Sequence, residues 1–342
     1  MKEKNIKIES IIREDRRKDI ARIESSLLLG AIEYCERNNY QHIIIPHLTK
    51  ATGACENFST LFVTDLFGEK IYLNQTGQLM LEAYIKDFKK TYCHGPSFRK
   101  EDKADSRHLI EFPLFEIELA DCNLDKLKTE ISNIIHSMIS KTIEKNPSLI
   151  NLLEIPEQHI NNLMSDYESI TYREAIKKLN LDFGTDLKSD HEQELIEYNG
   201  NKPLFITHYP QEIKFFNMRL NRQDNTIVNS MDLIMPYSGE AVGAAEREEN
   251  YEILKNRLEN SNMLKLLESS ILEENNAFKQ FSKKELRNEA LSRFNWYLDI
   301  IKENPIEHAG CGIGLNRVTQ SLICSDDIRE STAYPLNREN VF

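Results

Sequence analysis

The stretch FRKEDKADSRHLIEF, residues 98–112, crowds positively and negatively charged side chains between two phenylalanines. Its pattern predicts a β-hairpin with strands over 94–101 and 108–120 and a charged loop over 102–107. A salt-bridged surface loop is the ordinary explanation for a run of charges. The neighbouring sequence must therefore decide whether this hairpin carries a function.

Side chains alternate across a strand, so each predicted strand has two distinct faces. Arg99 and Glu101 share a face on the first strand. On the second strand one face is polar and the other apolar, with Phe112, Glu116 and Glu118 on the first and Phe115, Ile117 and Leu119 on the second. A sheet that forms the floor of a polar binding site would show this arrangement. An ordinary half-exposed antiparallel sheet has the same periodicity, so the pattern alone does not separate the two.

Length and composition indicate a globular protein. The chain has 342 residues, is 40% hydrophobic and carries a net charge of −12. This charge argues against a broad nucleic-acid surface, since neutralising phosphates requires clustered Lys and Arg. No apolar run is long enough to span a membrane and no signal peptide is visible, which favours the cytoplasm. The six cysteines form no CxxC pair and are interpreted as reduced thiols.

The first half of the chain predicts helices and short strands around the hairpin. Apolar residues recur every three or four positions over 16–37, which indicates an amphipathic helix. The run HIIIP predicts a strand over 41–46 that ends at Pro46. Another strand is expected at 70–73 and another helix at 76–88.

The second half predicts two helical segments separated by strands. The segments 123–200 and 259–284 read as helical insertions within a single domain of residues 1–342. Further strands are expected at 203–207, 213–220 and 226–236, and a helix near Glu246. In HAGCGIGLNRVTQSLI, residues 308–323, a glycine-rich turn precedes an amphipathic helix.

The order of these units resembles motifs 1, 2 and 3 of the class II aminoacyl-tRNA synthetases. A long helix precedes a Pro-terminated strand, FRxE and RHLxEF follow, and a glycine-rich turn ends in Arg317. The nearest similarity is to the aspartyl and asparaginyl subgroup. It extends over about residues 16–337 and includes TGACENFSTLF (52–62), NQTGQLMLEA (74–83), THYPQEIKFFNMRL (207–220), MDLIMPYSGEAVGAAERE (231–248) and IRESTAYPLNR (328–338).

This resemblance implies a nucleotide site that binds ATP. Arg99 would pair with the α-phosphate and Glu101 would accept from the adenine amino group. Phe112 would stack on the adenine, Arg107 and His108 would lie near the β- and γ-phosphates, and Arg317 would hold ATP in a bent form. Arg99 and Arg317 are thus the implied catalytic residues.

The resemblance also implies a metal site and an amino-acid site. Asp232 and Glu240 match carboxylates that bind Mg²⁺, a hard ion that prefers oxygen ligands. Residues that match the amino-acid site are Glu56 and Gln78 for the α-ammonium group, Arg247 for the side-chain carbonyl or carboxylate, and Glu116 for a side-chain amide.

Two positions distinguish aspartate from asparagine as the substrate side chain. Aspartate-specific relatives place a lysine where this chain has Leu81, and Glu116 would repel a substrate carboxylate. The pocket therefore resembles an asparagine site.

The acceptor of the activated acid is open to several interpretations. The chain resembles a class II catalytic fold, an α+β fold with an antiparallel sheet flanked by helices, without the N-terminal OB anticodon-binding domain of the subgroup. In this it resembles the stand-alone archaeal-type asparagine synthetases, which are related to asparaginyl-tRNA synthetase. Our main interpretation, implied by this resemblance, is asparagine biosynthesis, in which aspartate is activated and ammonia attacks the adenylate. Alternatives are an asparaginyl-tRNA synthetase-like ligase that uses tRNA or another amine, and an inactive regulatory protein.

Three residues depart from the pattern of the family. Asn316 stands where an acidic residue is usual, Glu246 where glutamine is common and Asn217 where tyrosine is common. These departures leave metal binding and substrate choice in question. Motif 1, here residues 16–46, forms the dimer interface in the family, so a homodimer is expected.

Overall fold

The computed structural model describes residues 15–50, 60–274 and 280–341. The strands are β1 (Gln41–His42), β2 (Leu48–Thr49), β3 (Val63–Leu66), β4 (Glu69–Leu73), β5 (Lys90–Phe98), β6 (Glu111–Ala120), β7 (Glu168–Thr171), β8 (Leu204–Thr207), β9 (Ser230–Met235), β10 (Gly239–Glu246) and β11 (His308–Gly314). The helices are α1 (Asp15–Arg37), α2 (Gln78–Glu82), α3 (Ile85–Phe88), α4 (Leu124–Lys145), α5 (Pro147–Leu152), α6 (Glu157–Leu163), α7 (Tyr172–Leu179), α8 (Ser189–Tyr198), α9 (Tyr251–Asn260), α10 (Asn262–Glu274), α11 (Lys283–Ser292), α12 (Asn295–Glu303) and α13 (Leu315–Leu322). Within the described ranges, no helix is both long enough and apolar enough to cross a membrane.

One large sheet organises the molecule. Its strand order is β1-β5-β6-β11-β10-β9-β8-β7, and neighbours are antiparallel except for the outer pairs β1/β5 and β7/β8. A small antiparallel sheet has the order β2-β4-β3. The predicted α+β class, with an antiparallel sheet flanked by helices, is confirmed.

Helices α1, α4 and α13 cover one face of the large sheet. Their apolar side chains share a core with strand β6. The members of this core include Ile20, Ile23 and Leu27 of α1, Ile131, Ile134 and Met138 of α4, Leu315, Val318 and Leu322 of α13, and Phe115, Ile117 and Leu119 of β6. Helices α1 and α4 approach closely at Gly30, where an added Cβ would lie 2.5 Å from the carbonyl oxygen of Ser137. The opposite face of the sheet is left for polar side chains.

The remaining helices form two smaller clusters. Helices α9 to α12 bury Leu254, Leu264 and Phe294 together with Tyr72 of the small sheet. Helices α7 and α8 pack on strand β8, where Tyr172 and Leu195 meet Ile206. The segment 123–200, and the described parts of 259–284, are largely helical. Their description as insertions in a single domain stays a prediction.

The predicted strand over 213–220 is wrong. Residues 214–220 form only isolated bridges, between Met218 and Arg247 and between Leu220 and Val228. The adjacent side chains of Lys214 and Phe215 line the same cavity, which the alternation of a strand would prevent. Cavity contacts therefore override the β-like composition of this segment.

Helix boundaries also differ from the sequence predictions. The helix expected over 76–88 is divided into α2 and α3, and the strand expected over 41–46 is reduced to β1. The helix expected near Glu246 begins at Tyr251, because Glu246 still belongs to β10 and the Oδ1 atom of Asn250 caps the helix.

Candidate active site

A cavity of about 700 Å³ opens on the polar face of the large sheet. Its wall includes every predicted site residue that the structure describes, namely Gln78, Arg99, Glu101, Arg107, His108, Phe112, Glu116, Asp232, Glu240, Arg247 and Arg317. Glu56, the other predicted residue, lies outside the described residues. Residues far apart in the sequence thus converge on one site.

Strand β11 leaves room for acidic side chains on the floor of this cavity. Gly310 pairs with Glu118 of β6, and Gly312 pairs with Glu116. A Cβ at Gly310 would collide with the carboxyl group of Glu118 and with the backbone of β6. The glycines predicted to form a turn lie instead in a strand, where they let these carboxylates pack over its backbone.

Arg99 and Glu101 lie just beyond strand β5, which ends at Phe98 and not at residue 101 as predicted. The amide of Arg99 still donates to the carbonyl of Ile110 at 2.8 Å, so the hairpin continues for one more bond. The Arg99 guanidinium lies 5.6 Å from the ring centre of Phe112. The buried Nε of Arg99 has no hydrogen-bond partner among the described residues. A cation with an unused donor thus faces the cavity beside an aromatic ring.

The loop that follows is fixed by Asp105. Its Oδ1 accepts from the amides of Arg107 and His108 at 2.9 and 3.0 Å and contacts His108 Nδ1 at 2.8 Å. Burial alone would raise the pKa of Asp105, but these hydrogen bonds lower it below its ordinary value. An ionised Asp105 therefore orders the backbone that carries Arg107 and His108.

Arg107 and Arg317 form a cationic wall beside Glu192. Arg107 Nη2 donates to Glu192 Oε2 at 3.2 Å. Arg317 donates to the backbone oxygens of Arg107, at 2.8 Å, and of Ser238. Burial and the charge of Arg107 lower the pKa of Arg317 to about 10, so the group remains a cation at neutral pH. Such a wall suits a polyanion.

Asp232 and Glu240 meet across Gly243. A Cβ on this glycine would lie 3.3 Å from Glu240 Oε1 and 3.9 Å from Asp232 Oδ1. A β-bulge between Glu240 and Val242 accompanies this arrangement. Lys214 Nζ donates to Asp232 Oδ2 at 2.6 Å. Two converging carboxylates are a donor set that fits Mg²⁺.

The opposite end of the cavity contains Gln78 and Glu116. Glu116 accepts hydrogen bonds from the Thr76 hydroxyl and, at 2.8 Å, from the Gly77 amide. Burial raises the pKa of Glu116, although these hydrogen bonds oppose the shift. Leu81 does not reach the cavity, because it packs in an apolar cluster with Ile45 and Cys93.

Arg247 is held by a buried carboxylate. Its Nη2 donates to Glu118 Oε1 at 2.6 Å and its Nε donates to the same oxygen at 3.1 Å. Burial raises the pKa of Glu118 to about 7, although the charge of Arg247 opposes the shift. The charge of Arg247 is thus paired within the protein.

The three departures from the family pattern have different surroundings. Asn316 donates to Glu24 Oε1 of helix α1 at 2.8 Å, so its amide group serves a neighbouring acid. Glu246 points away from the cavity and accepts from the amide of Leu124 at the start of α4, at 2.9 Å. Asn217 is fully buried, and neither end of its amide has a hydrogen-bond partner among the described residues.

Several polar residues at the site were not predicted from the sequence. Glu192 comes from helix α8, in a segment whose pattern suggested no chemistry, and Lys214 comes from the segment wrongly predicted to be a strand. Glu118, which the sequence placed on the polar face of β6 without a role, forms a buried cluster behind Arg247 with Glu82 and His308. Charged residues in otherwise apolar stretches of sequence could have indicated a functional role. Their contacts, however, join distant parts of the chain, so the cluster itself could not be predicted.

The antiparallel sheet, its helical backing and the converging motifs define the class II aminoacyl-tRNA synthetase catalytic fold. A family model described as tRNA synthetases class II (D, K and N) matches residues 6–338. The chain therefore belongs to this family.

Individual relatives carry a more specific name. The asparagine–tRNA ligase of Malacoplasma penetrans is 32% identical over 340 residues, which cover 92% of this chain and 69% of that protein. The asparagine–tRNA ligase of Borreliella afzelii is 30% identical, with 94% and 71% covered. The structure of Pyrococcus horikoshii asparaginyl-tRNA synthetase complexed with asparaginyl-adenylate superposes with a TM-score of 0.83 at 28% identity, and covers 97% of this chain and 71% of that one.

Proposed function

We propose that the protein activates asparagine with ATP to form asparaginyl-adenylate and pyrophosphate, and transfers the asparaginyl group to tRNA. The named relatives are asparagine–tRNA ligases, and one structural neighbour is complexed with asparaginyl-adenylate. The main interpretation from the sequence, amidation of aspartate by ammonia, gains no support from these relatives. The alternative considered there is therefore preferred.

The pairing of Arg247 with Glu118 is the observation that carries the choice of asparagine. The guanidinium is already bound to a carboxylate at 2.6 Å, so it offers less net charge to a substrate carboxylate. Glu116 adds a second acid to the same end of the cavity. A neutral side-chain amide meets less repulsion there than a carboxylate, and its NH₂ group can donate to Glu116.

ATP would occupy the cationic end of the cavity. Arg99 would bind the α-phosphate, with its fork following the charge that develops there. Glu101 would accept from the adenine amino group and Phe112 would stack on its ring. Arg107 and His108 would contact the β- and γ-phosphates, and Arg317 would hold the nucleotide bent.

Asp232 and Glu240 would hold Mg²⁺, which when bound neutralises phosphate charge. Gln78 would bind the α-ammonium group, and Glu56 is assigned the same role from the sequence alone. Lys214, bonded to Asp232, would orient this carboxylate. Apart from Glu56, every residue with one of these roles lines the cavity.

The proposed reaction has two displacements. A carboxylate oxygen of asparagine attacks the α-phosphorus, and the bond from this phosphorus to the bridging oxygen of the β-phosphate breaks, which releases pyrophosphate. A terminal hydroxyl of tRNA then attacks the carbonyl carbon of the adenylate, and AMP leaves. Arg99 is placed to stabilise the charge on the α-phosphate in the first step.

Pyrophosphate–ATP exchange tests the first step without any acceptor. We expect exchange with asparagine at least about tenfold faster than with aspartate, because one mispaired charge costs at least a factor of ten. Glu116→Gln removes the repelling charge and should narrow this preference. AMP release stimulated by tRNA, and not by ammonium ions, would support the acceptor.

Other results would select the other interpretations. Aspartate-dependent AMP release that requires ammonium ions would restore asparagine biosynthesis as the function. Absence of exchange with either acid, in protein that still binds ATP, would favour an inactive regulatory protein. The location of the protein in the cell stays a prediction.

A homodimer through motif 1 is part of the proposal. Ile44, just beyond β1, is 89% exposed in the single chain and belongs to motif 1, so the proposed partner subunit would cover it. Light scattering should give twice the mass of the chain, and Ile44→Asp should give the single mass. Leu152→Asp, at an exposed apolar residue of α5, is the matched control and should remain dimeric.

A further inference from the structure

A buried polar network lies behind the amino-acid end of the cavity. It joins Glu82 of α2, Tyr297 of α12 and His308 of β11, all of which are at most 4% exposed. The proposed function assigns no role to these residues. Their burial makes each unpaired polar atom costly, so the pattern of their hydrogen bonds reports their charge states.

The two ring nitrogens of His308 both face acceptors. Nδ1 lies 2.7 Å from the carbonyl oxygen of Ile306, and Nε2 lies 3.0 Å from Glu82 Oε2. A carbonyl oxygen cannot donate, and an ionised carboxylate cannot donate either. If Glu82 is ionised, both nitrogens carry protons and the ring is an imidazolium.

The other hydrogen bonds of Glu82 support its ionised state. Its Oε2 also accepts from the hydroxyl of Tyr297 at 2.8 Å, and its Oε1 accepts from Gln78 Nε2 at 2.7 Å. Three donors thus converge on one carboxylate, which favours its charged form. Burial alone would raise the pKa of Glu82 and lower that of His308, but their hydrogen bond and mutual attraction reverse both shifts.

The network reaches both side chains that are proposed to bind the amino acid. Gln78 donates to Glu82 directly, and Arg247 Nε lies 4.0 Å from Glu82 Oε1. Glu118, which binds Arg247, is the second acid of the cluster. A neutral ring at His308 would leave Glu82 and Glu118 close together with one cation between them.

We propose that His308 is a positioning residue that stays an imidazolium, fixes Glu82, and through it orients Gln78 and Arg247 for the amino-acid substrate. This inference rests on the proposed function, since it assumes that Gln78 and Arg247 bind the amino acid. His308 does not line the cavity, so its effect is transmitted through Glu82. The affinity for ATP, whose proposed ligands lie at the other end of the cavity, should not depend on this network.

A metal ion is not a better occupant of this cluster. Glu82, Glu118 and His308 offer ligand atoms within 4.8 Å of one another, which by distance alone would suit an ion. Both nitrogens of His308 are already engaged, however, and Arg247 donates to Glu118. A second cation would have to displace these donors.

The proton on His308 gives the network a pH dependence. A histidine whose pKa is raised in the folded protein keeps its stabilising charge at low pH and loses it as the pH rises through the raised value. The groups that face it are Glu82 and Glu118 with their negative charges, Arg247 with its positive charge, and the hydroxyl of Tyr297. Glu118 titrates as well, because burial raises its pKa to about 7, so the midpoint of the change in asparagine binding must match the titration of the His308 ring measured by NMR.

Nitrogen NMR of the wild-type histidine rings tests the charge state independently of activity. An unperturbed histidine is neutral at pH 8. We expect one ring, assigned to His308 by through-bond correlation, to keep imidazolium shifts at pH 8. A neutral His308 ring at pH 7 would overturn the proposal, whatever the protein is found to catalyse.

Exchange kinetics test the positioning role. His308→Gln should raise the KM for asparagine by about tenfold to a hundredfold, the value of a hydrogen bond to a charged group, and leave the KM for ATP within about twofold. The double variant His308→Gln with Glu82→Gln removes both charges and should recover part of this loss. Equal losses for asparagine and ATP, or no recovery in a double variant that folds normally, would contradict the proposal.

The wild-type pH profile is the readout that a purely structural role would not move. The KM for asparagine should rise at high pH, above the pKa of His308, while the KM for ATP stays level. If wild-type protein shows no exchange with asparagine, the proposed function fails, but the NMR result still decides whether His308 is charged. The two failures are therefore distinguishable.

Discussion

Arg99 combines a cationic charge with an unused donor in the cavity. Its Nε is buried without a partner among the described residues, and its guanidinium stays near Phe112. Such a donor is already oriented before a phosphate arrives, so little reorganisation is needed. The side chain is therefore the strongest single candidate for a catalytic role.

We predict that Arg99→Ala lowers the rate of pyrophosphate–ATP exchange by at least about a hundredfold, the usual cost of one transition-state donor. Arg99→Lys should also be impaired, because an ammonium group lacks the planar fork. The neighbouring Lys100 has an exposed side chain, and Lys100→Ala is the matched control. Near-normal exchange in Arg99→Ala would remove Arg99 from the mechanism.

The hydrogen-bond partner of Asn316 explains why this position departs from the family pattern. Its Nδ2 donates to Glu24 Oε1, and the same Glu24 accepts from the amide of Ala333 at 3.0 Å. Burial raises the pKa of Glu24 despite these donors. An acidic residue at position 316 would therefore face another buried acid.

We predict that Asn316→Asp lowers the free energy of unfolding by about 1–3 kcal/mol, measured by urea denaturation at pH 8. The charge of the new carboxylate would repel Glu24, and Glu24 would lose the hydrogen bond that Asn316 donates to it. Adding Glu24→Gln to this variant should restore a donor–acceptor pair and recover most of the loss. If the second substitution worsens stability, repulsion is not the cause.

Strand β11 shows how a glycine can be required by a neighbouring strand. Gly310 and Gly312 both face strand β6, but only at Gly310 would a Cβ collide with a carboxyl group and with backbone. At Gly312 the nearest atom to a Cβ, Glu116 Cγ, is 3.8 Å away, an ordinary contact distance. The two positions therefore provide a matched pair on one strand.

Gly310→Ala should lower the Tm by about 1–4 °C, because overpacking costs about 1–3 kcal/mol and a chain of this length has a large unfolding entropy. It should also displace Glu118 and weaken asparagine binding through Arg247. Gly312→Ala should leave the Tm within about 0.5 °C of the wild type, because the added Cβ makes only an ordinary contact. Equal Tm losses in both variants would show that glycine is needed at these positions for its conformational freedom and not for packing against Glu118.

The elements that sequence predicted best are those governed by simple periodicity. The alternation in β6 correctly separated Phe115 and Ile117, which enter the core, from Phe112 and Glu116, which line the cavity. The three- and four-residue spacing likewise identified helix α1. A core face imposes such patterns along the whole element.

Predictions failed where tertiary contacts decide the conformation. Lys214 and Phe215 both face the cavity although they are neighbours, so β-like composition gave no strand. Glu192 pairs with Arg107 from 85 positions further along the chain. No local pattern encodes such a pairing. The resemblance to a known family supplied the cavity residues with proposed roles in binding ATP, metal and amino acid, except Lys214, whereas the buried network behind Arg247 needed the structure.

At the scale of the whole molecule, buried ionisable groups couple folding to pH. The thiols of Cys35, Cys93 and Cys311 are buried, and burial raises the pKa of each one. Nearby carboxylates such as Glu116 add to the effect at Cys93. In the unfolded chain the same thiols ionise near pH 8.5. The folded protein thus binds more protons than the unfolded chain at alkaline pH.

Stability should therefore fall as the pH rises from 7 to 9. The slope of the unfolding free energy with pH follows the number of protons bound by the unfolded state minus the number bound by the native state, which is negative here. Each thiol contributes a loss of about 0.8 kcal/mol by pH 9, or about 2.5 kcal/mol for the three. His308 adds a loss in the same direction, because its folded pKa is raised. Urea denaturation in the presence of a reductant at the two pH values measures the difference. Cys35→Ala should reduce this difference by about 0.8 kcal/mol even if it lowers stability at both pH values, and an unchanged difference would show that Cys35 does not carry its share.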